Sequence, residues 1–181
     1  MVIAWIMTIY TLNFNYLSYK STRNSLIHKI TSKINLSDET CPLVTIQLPI
    51  YNEKYVATRL INAVFCMDFP KERMEVQVLD DSDDETSGII VELVDKHKKD
   101  GYNISAFRRI NRTGYKAGAL KEGLKFAKGE FIAIFDADFI PPSDFLKKAL
   151  CYFEDSKIGL VQGRWGHINE KYSILTKAQA V

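Results

Sequence analysis

Two carboxylates, Asp136 and Asp138, stand one residue apart directly after the apolar run 131–135. At that spacing they can jointly hold a hard divalent cation, Mg2+ or Mn2+, which prefers oxygen ligands and fills its shell with water and phosphate oxygens. In isolation an Asp-x-Asp pair reads as readily as a solvated turn. Its place at a strand end, with Pro141-Pro142 forcing the chain away, favours the metal site. Asp80-Asp81 ends the run 74–79 in the same way. A carboxylate there can accept hydrogen bonds from a base N–H or a ribose hydroxyl. Asp83, Asp84 and Glu85 follow as favourable charges at a helix start. Asp81, Asp83, Glu85 and Glu92 fall at offsets like those of a calcium loop. Thr86 stands where that loop requires glycine and Glu92 falls within a helix, so calcium-loop chemistry is excluded. The segment Gly114-Tyr115-Lys116-Ala117-Gly118 opens a helix with a flexible turn. Backbone N–H groups at a helix start attract anions, and Lys116 adds a point charge suited to a diphosphate. The spacing is not that of a P-loop. Arg109 and Arg112, just upstream, read equally as site residues and as ordinary surface charges.

These groups need a scaffold that gathers them. Residues 44–48 are a short apolar run ended by Pro49, which predicts a buried strand. Val56, Leu60, Ala63 and Val64 then show helical spacing across 54–66. Strands are expected at 74–79, 103–107, 131–135 and 158–163, and helices at 87–99, 116–127 and 142–153. Strand and helix thus alternate, which predicts an α/β chain with a parallel sheet and helices on both faces. In such sheets ligands bind beyond the carboxyl ends of the strands. Pro49-Ile50-Tyr51-Asn52-Glu53, Asp80-Asp81, Arg108 to Lys116 and Asp136-Ala137-Asp138 all follow strand ends, on one edge of the sheet.

The net charge of +2 is too small to indicate a nucleic-acid partner. Its distribution says more: five carboxylates lie within Asp80–Glu85, and a basic stretch runs from Lys96 to Lys128. That separation suits a metal and an anionic ligand. The 3 cysteines, Cys41, Cys66 and Cys151, match no disulfide framework or zinc motif and read as small buried residues in a reducing compartment. Residues 1–17 carry no charge and are mostly apolar, and Lys20, Arg23, Lys29 and Lys33 follow. The expectation is a partial transmembrane helix over 1–19, clipped at its N-terminal side, with a cytoplasmic basic flank and a juxtamembrane linker over 20–42. Asn13 and Asn15 are the residues that favour a buried amphipathic helix instead.

Residues 43–181 resemble the family 2 glycosyltransferases, especially the cellulose- and mannan-synthase-like branch. The resemblance rests on Gln47 to Glu53, Leu79-Asp80-Asp81-Ser82, Arg112 to Leu120, Phe135-Asp136-Ala137-Asp138-Phe139 and Val161-Gln162-Gly163-Arg164-Trp165-Gly166-His167, in that order. It implies a GT-A fold, a three-layer sandwich around a mainly parallel sheet, a UDP- or GDP-sugar donor, a glycan acceptor and inversion at the anomeric carbon. It further implies that Pro49, Tyr51, Glu53 and Asp80 line the nucleotide site, that Asp81 meets the base, and that Lys116 approaches the phosphates. Asp136 and Asp138 would hold Mg2+ or Mn2+, and Gln162, Arg164, Trp165 and His167 would border the acceptor side. The family's Thr-Glu-Asp and Gln-x-x-Arg-Trp motifs, which carry the general base and an acceptor contact, do not occur in this sequence. The base is therefore expected beyond Val181 of a longer enzyme; the alternative is a donor-binding remnant without turnover. A receiver domain is disfavoured because its acidic pair would follow the first strand, where Pro49-Ile50-Tyr51 stands. An Asp-x-Asp phosphatase is disfavoured by Phe139-Ile140 after the second aspartate.

Overall fold

Apolar residues occupy alternate positions of β1 (Val44–Ile50) and β2 (Met74–Asp80), and those positions build one face of the sheet. The computed structural model describes residues 41–163 together with Thr11, Leu12, Phe14, Tyr16 and Leu17. Helices α1 (Lys54–Phe65) and α2 (Thr86–Lys99) cover the apolar face with Leu60, Ile61 and Val64 from α1 and Ile90 and Val94 from α2. All these side chains are buried, which makes this face the hydrophobic core.

Four parallel strands lie in the order β3 (Ile104–Arg108), β2, β1, β4 (Phe131–Ile134). The chain steps outward from β1 to β3 through α1 and α2. It then returns through α3 (Tyr115–Leu124), which packs on β1 and β2, and enters β4 on the far side of β1. The strand order reverses between β1 and β4, so the loops leaving their carboxyl ends diverge and open a crevice.

The face under α3 is polar yet buried. Thr45 Oγ1 donates to Glu75 Oε2 at 2.6 Å, and Gly129 N–H donates to Thr45 Oγ1 at 2.8 Å. Lys128 N–H donates to the same Glu75 oxygen at 2.8 Å, and Gln47 Nε2 donates to Gln77 Oε1 at 2.9 Å. The glutamines leave no room for a side chain above them: a Cβ on Gly123 would lie 2.7 Å from Gln47 Nε2.

Three expectations change. Pro49 does not end β1 but sits within it, paired in register with Leu79. Gln47 C=O accepts from Phe135 N–H on the β4 side, so Pro49 turns its nitrogen to that side, past β4's last paired residue, Ile134. An edge position tolerates a missing donor. The strand expected over 158–163 pairs with no strand among the described residues. Ile158 N–H instead closes a turn on Asp155 C=O at 2.9 Å, and Leu160 is exposed. Helix α4 (Phe145–Cys151) starts later than expected because Pro142 C=O accepts from Phe145 N–H in a preceding turn; a short 3-10 turn, Tyr152–Glu154, follows it.

The chain divides into two units, Met1–Ile34 and Asn35–Val181. In the first, the described residues Thr11, Leu12, Phe14, Tyr16 and Leu17 are helical and exposed. Among the described residues no helix is long and apolar enough to cross a membrane. Apart from those five, Cys41 and Pro42, the span expected over 1–19 and the linker over 20–42 lie outside them.

His97 of α2 is 7% exposed, stacks on Phe65 with centroids 4.2 Å apart, and has Nε2 3.0 Å from Asn62 Oδ1. Burial, with a further push from Lys96, holds the imidazole below its ordinary value. The folded state therefore favours the neutral ring. The resulting stability is full above about pH 6.5 and is lost as pH falls through the lowered folded value. Melting temperatures between pH 8 and pH 5.5 should fall more steeply for the wild type than for His97→Gln. Parallel slopes would remove His97 as the cause.

Candidate functional site

The turn after β1 is tied to the turn after β2 by reciprocal contacts. Asn52 N–H donates to Ser82 Oγ at 3.0 Å, Asn52 Nδ2 to Asp83 Oδ1 at 2.7 Å, and Asp83 N–H to Asn52 Oδ1 at 3.1 Å. Asn52 adopts φ 54°, a left-handed conformation that asparagine tolerates better than most residues. The exposed Tyr51 ring thereby stands at the mouth of the crevice.

Asp80 and Asp81 point to opposite sides. Asp80 is buried, and its two oxygens accept from Ser82 N–H at 2.9 Å and from Ser87 Oγ–H at 2.7 Å. It fastens the start of α2 to the end of β2. Asp81 faces the crevice and receives Arg109 in a bidentate fork, with Arg109 Nε donating to Oδ1 at 2.9 Å and Nη2 to Oδ2. The same guanidinium donates to Thr113 C=O at 3.0 Å and Tyr115 C=O at 2.9 Å. It thus pins the loop between β3 and α3. The hydrogen bond to Asp81 raises the Arg109 pKa further above its ordinary value.

That loop is tight. Gly114 has φ 75° and accepts from Gly118 N–H at 2.9 Å. A Cβ on Gly118 would fall 2.0 Å from Thr113 O, so only glycine fits. Tyr115 is held at φ 48°, at a cost of about 1–3 kcal/mol for a non-glycine residue. Immediately beyond it, the Lys116 ammonium pairs with the Asp136 carboxylate from the end of β4. A turn follows, Phe139 N–H to Asp136 C=O at 3.0 Å, and leaves Asp138 exposed.

The result is an open cleft of about 370 Å³ at the carboxyl ends of β1, β2 and β4. Its walls carry the Tyr51 ring from the β1 turn, a clamped carboxylate just after β2, Arg112 from the β3–α3 loop, Tyr115 and Lys116 from the start of α3, and two further carboxylates after β4. Asp136 and Asp138 form an all-oxygen donor pair, and a cation, Lys116, is already drawn to Asp136. No group of three or more metal-ligating side chains occurs among the described residues. Two carboxylates fit Mg2+ or Mn2+, which keep most of their shell for water and phosphate oxygens.

The sequence pattern described as Glycosyl transferase family 2 matches residues 45–180. The chain belongs to this family. This family 2 glycosyltransferase has the α/β GT-A fold around its parallel sheet. It is 47% identical over 146 residues to glucomannan 4-beta-mannosyltransferase 1 of Cyamopsis tetragonoloba, covering 76% of this chain and 27% of that protein. It therefore spans little more than a quarter of that relative's length. The structure of mannosyltransferase PcManGT from Pyrobaculum calidifontis in complex with GDP-Man and Mn2+ superposes with a TM-score of 0.70 at 27% identity, over 87% of this chain and 45% of that one. S. aureus TarS 1–349 in complex with UDP gives 0.55 at 26% identity, over 69% and 38% of the respective chains.

Of the residues singled out in the glycosyltransferase sequence, Pro49, Tyr51, Glu53, Asp81, Lys116, Asp136 and Asp138 all line the cleft. Asp80 does not, being committed to α2. Gln162 is exposed and outside the cleft wall, and Arg164, Trp165 and His167 lie outside the described residues. Arg109 and Arg112, which the sequence leaves even between site residues and surface charges, separate here: Arg112 lines the cleft, and Arg109 clamps Asp81 from outside its wall. Arg109→Ala should destabilise the chain by about 3 kcal/mol, because it leaves Asp81 buried without its partner. Urea unfolding measures this, and limited proteolysis should show faster cleavage between residues 110 and 117. Unchanged stability together with an unchanged cleavage rate would rule out the clamp.

Proposed function

We propose that this chain forms the donor-binding part of a membrane-attached inverting glycosyltransferase that transfers a hexose from a UDP- or GDP-sugar to a glycan acceptor. A mannosyl donor is the first choice, supported by the 47% identity to the Cyamopsis mannosyltransferase and by the GDP-Man and Mn2+ of the Pyrobaculum enzyme. The observation that carries the reading is the convergence of Tyr51, Asp81, Lys116, Asp136 and Asp138 on one cleft at the strand-order reversal. Tyr51 and Asp81 form its base end, Tyr51 by ring contact and Asp81 by accepting an N–H. Lys116 lies beside Asp136, where it would leave its carboxylate partner for a phosphate oxygen. Asp136 and Asp138 would hold Mg2+ or Mn2+, which supplies electrostatic stabilisation of the departing nucleoside diphosphate. Membrane attachment, with the catalytic part on the cytoplasmic side, rests on the uncharged run 1–17 and the basic residues that follow it.

Calorimetry with GDP and UDP, with and without Mn2+, tests the site. The wild type should bind at least one of them in a metal-dependent way, and Asp138→Ala should weaken that binding by about tenfold or more. Binding that ignores both metal and substitution would sink the reading.

A further inference from the structure

Lys116 sits in the first turn of α3, where the helix dipole disfavours a cation. That turn contains no acidic residue, and its cap, Gly114, makes no side-chain hydrogen bond. Compensation for the ammonium comes instead from another element, through its pair with Asp136 Oδ1 after β4. One member of the Asp136–Asp138 pair thus already holds a positive charge, while Asp138 stays exposed. An ammonium and a divalent cation compete for the same carboxylate. A dication shared by Asp136 and Asp138 would face the ammonium at close range, in a cleft that also carries Arg112. Driven off Asp136, Lys116 would be left at the positive end of α3 without a partner. A diphosphate removes both penalties, because its oxygens accept the ammonium.

Resting on the donor-site reading above, we propose that Lys116 is a tethered stand-in for the metal, which keeps the affinity for the free cation low and couples its binding to that of the diphosphate. The cleft takes cation and nucleotide together, and the carboxylate pair is guarded against a divalent ion arriving alone. By linkage the gain is mutual: the factor that the diphosphate adds to metal affinity is the factor that the metal adds to diphosphate affinity. A direct bond between metal and phosphate gives coupling of the same sign. What is peculiar to the stand-in is the effect of removing it, since free-metal affinity then rises while nucleotide affinity falls. A lysine that only touched phosphate would change the second and leave the first alone.

The test uses the full 181-residue chain in two titrations. Mn2+ alone is followed by the electron paramagnetic resonance signal of the free ion, and GDP and UDP in Mn2+ by calorimetry. Lys116→Met keeps the length of the stem and drops the charge. It should bind Mn2+ alone about threefold or more tighter than the wild type, and the better of the two nucleotides about tenfold more weakly. Lys116→Arg, which keeps the cation, should bind Mn2+ alone as the wild type does. Lys121→Met removes the same charge from an exposed position of α3 outside the cleft wall, and should leave Mn2+ binding unchanged. Free-Mn2+ affinity that is unchanged or lower in Lys116→Met overturns the proposal, as does an undiminished nucleotide affinity. Equal tightening in Lys116→Arg or Lys121→Met overturns it too. So does Mn2+ binding undetectable in both wild type and Lys116→Met while nucleotide binding stays metal-dependent. If neither nucleotide binds the wild type, or both ignore the metal, the donor-site reading itself falls. Superposable melting curves for the variants exclude misfolding as the cause.

Discussion

The fork between Arg109 and Asp81 holds together everything that the cleft needs from the β3–α3 loop. Ordering a loop residue costs about 1–2 kcal/mol in backbone entropy, and the segment from Arg109 to Tyr115 belongs to no helix or strand except at its last residue. One guanidinium offsets much of that cost with two bonds to Asp81 and two to loop carbonyls. Both side chains are largely shielded from water, at 14% and 6% exposure, so the pair is worth more than a surface ion pair. The left-handed Tyr115 and the bare Gly118 are tolerable only because this clamp over-determines the turn around them.

Charge in the cleft is arranged to be exchanged. The Lys116–Asp136 pair is far more exposed than the Arg109–Asp81 pair, with side chains at 52% and 36%. Such a pair contributes about 0–1 kcal/mol and separates at little cost. On the donor-site reading, that weakness is useful: a nucleoside diphosphate and a divalent cation bring matched partners for the ammonium and the carboxylate respectively. The neighbouring Arg109–Asp81 pair is built the opposite way, to persist. A stable clamp and a labile pair within one cleft separate the work of shaping the site from that of receiving its ligand.

Residues at the strand ends were legible in the sequence because strand period and helix period are local. Asp136, Asp138, Lys116 and Tyr51 follow runs that read as strands, and the topology brings them together wherever such runs pair in parallel. What depends on pairing register was not legible. Thr45, Gln47, Glu75 and Gln77 look like interruptions in apolar strands, yet they are a second, polar core layer hydrogen-bonded across β1 and β2 and to the backbone at Lys128 and Gly129, with Gln47 Oε1 and Gln77 Nε2 left without a partner. Pro49 reads as a stop because its tolerance depends on where β4 ends. Arg109 and Arg112 lie where there is no period at all, and only the fold reveals which surface charges have partners.

Asp80 and Asp81 show how much one register decides. Ile50 pairs with Asp80, and Ile50 C=O accepts from Asp81 N–H at 3.0 Å, so strand alternation continues one residue past β2. Alternation sends Asp80 to the core face, where α2 begins, and Asp81 to the α3 face, where the cleft opens. A slip of one residue would exchange them. Ser87 would then lose the carboxylate that ties α2 to the sheet, and Arg109 would lose the one that holds its loop. The apolar alternation of β1 and β2 forbids that slip, because it would also turn Ile46, Leu48, Val76 and Val78 away from α1 and α2. The hydrophobic core thus selects which of two adjacent carboxylates faces the cleft, and reaches the cleft wall itself only through Ile50.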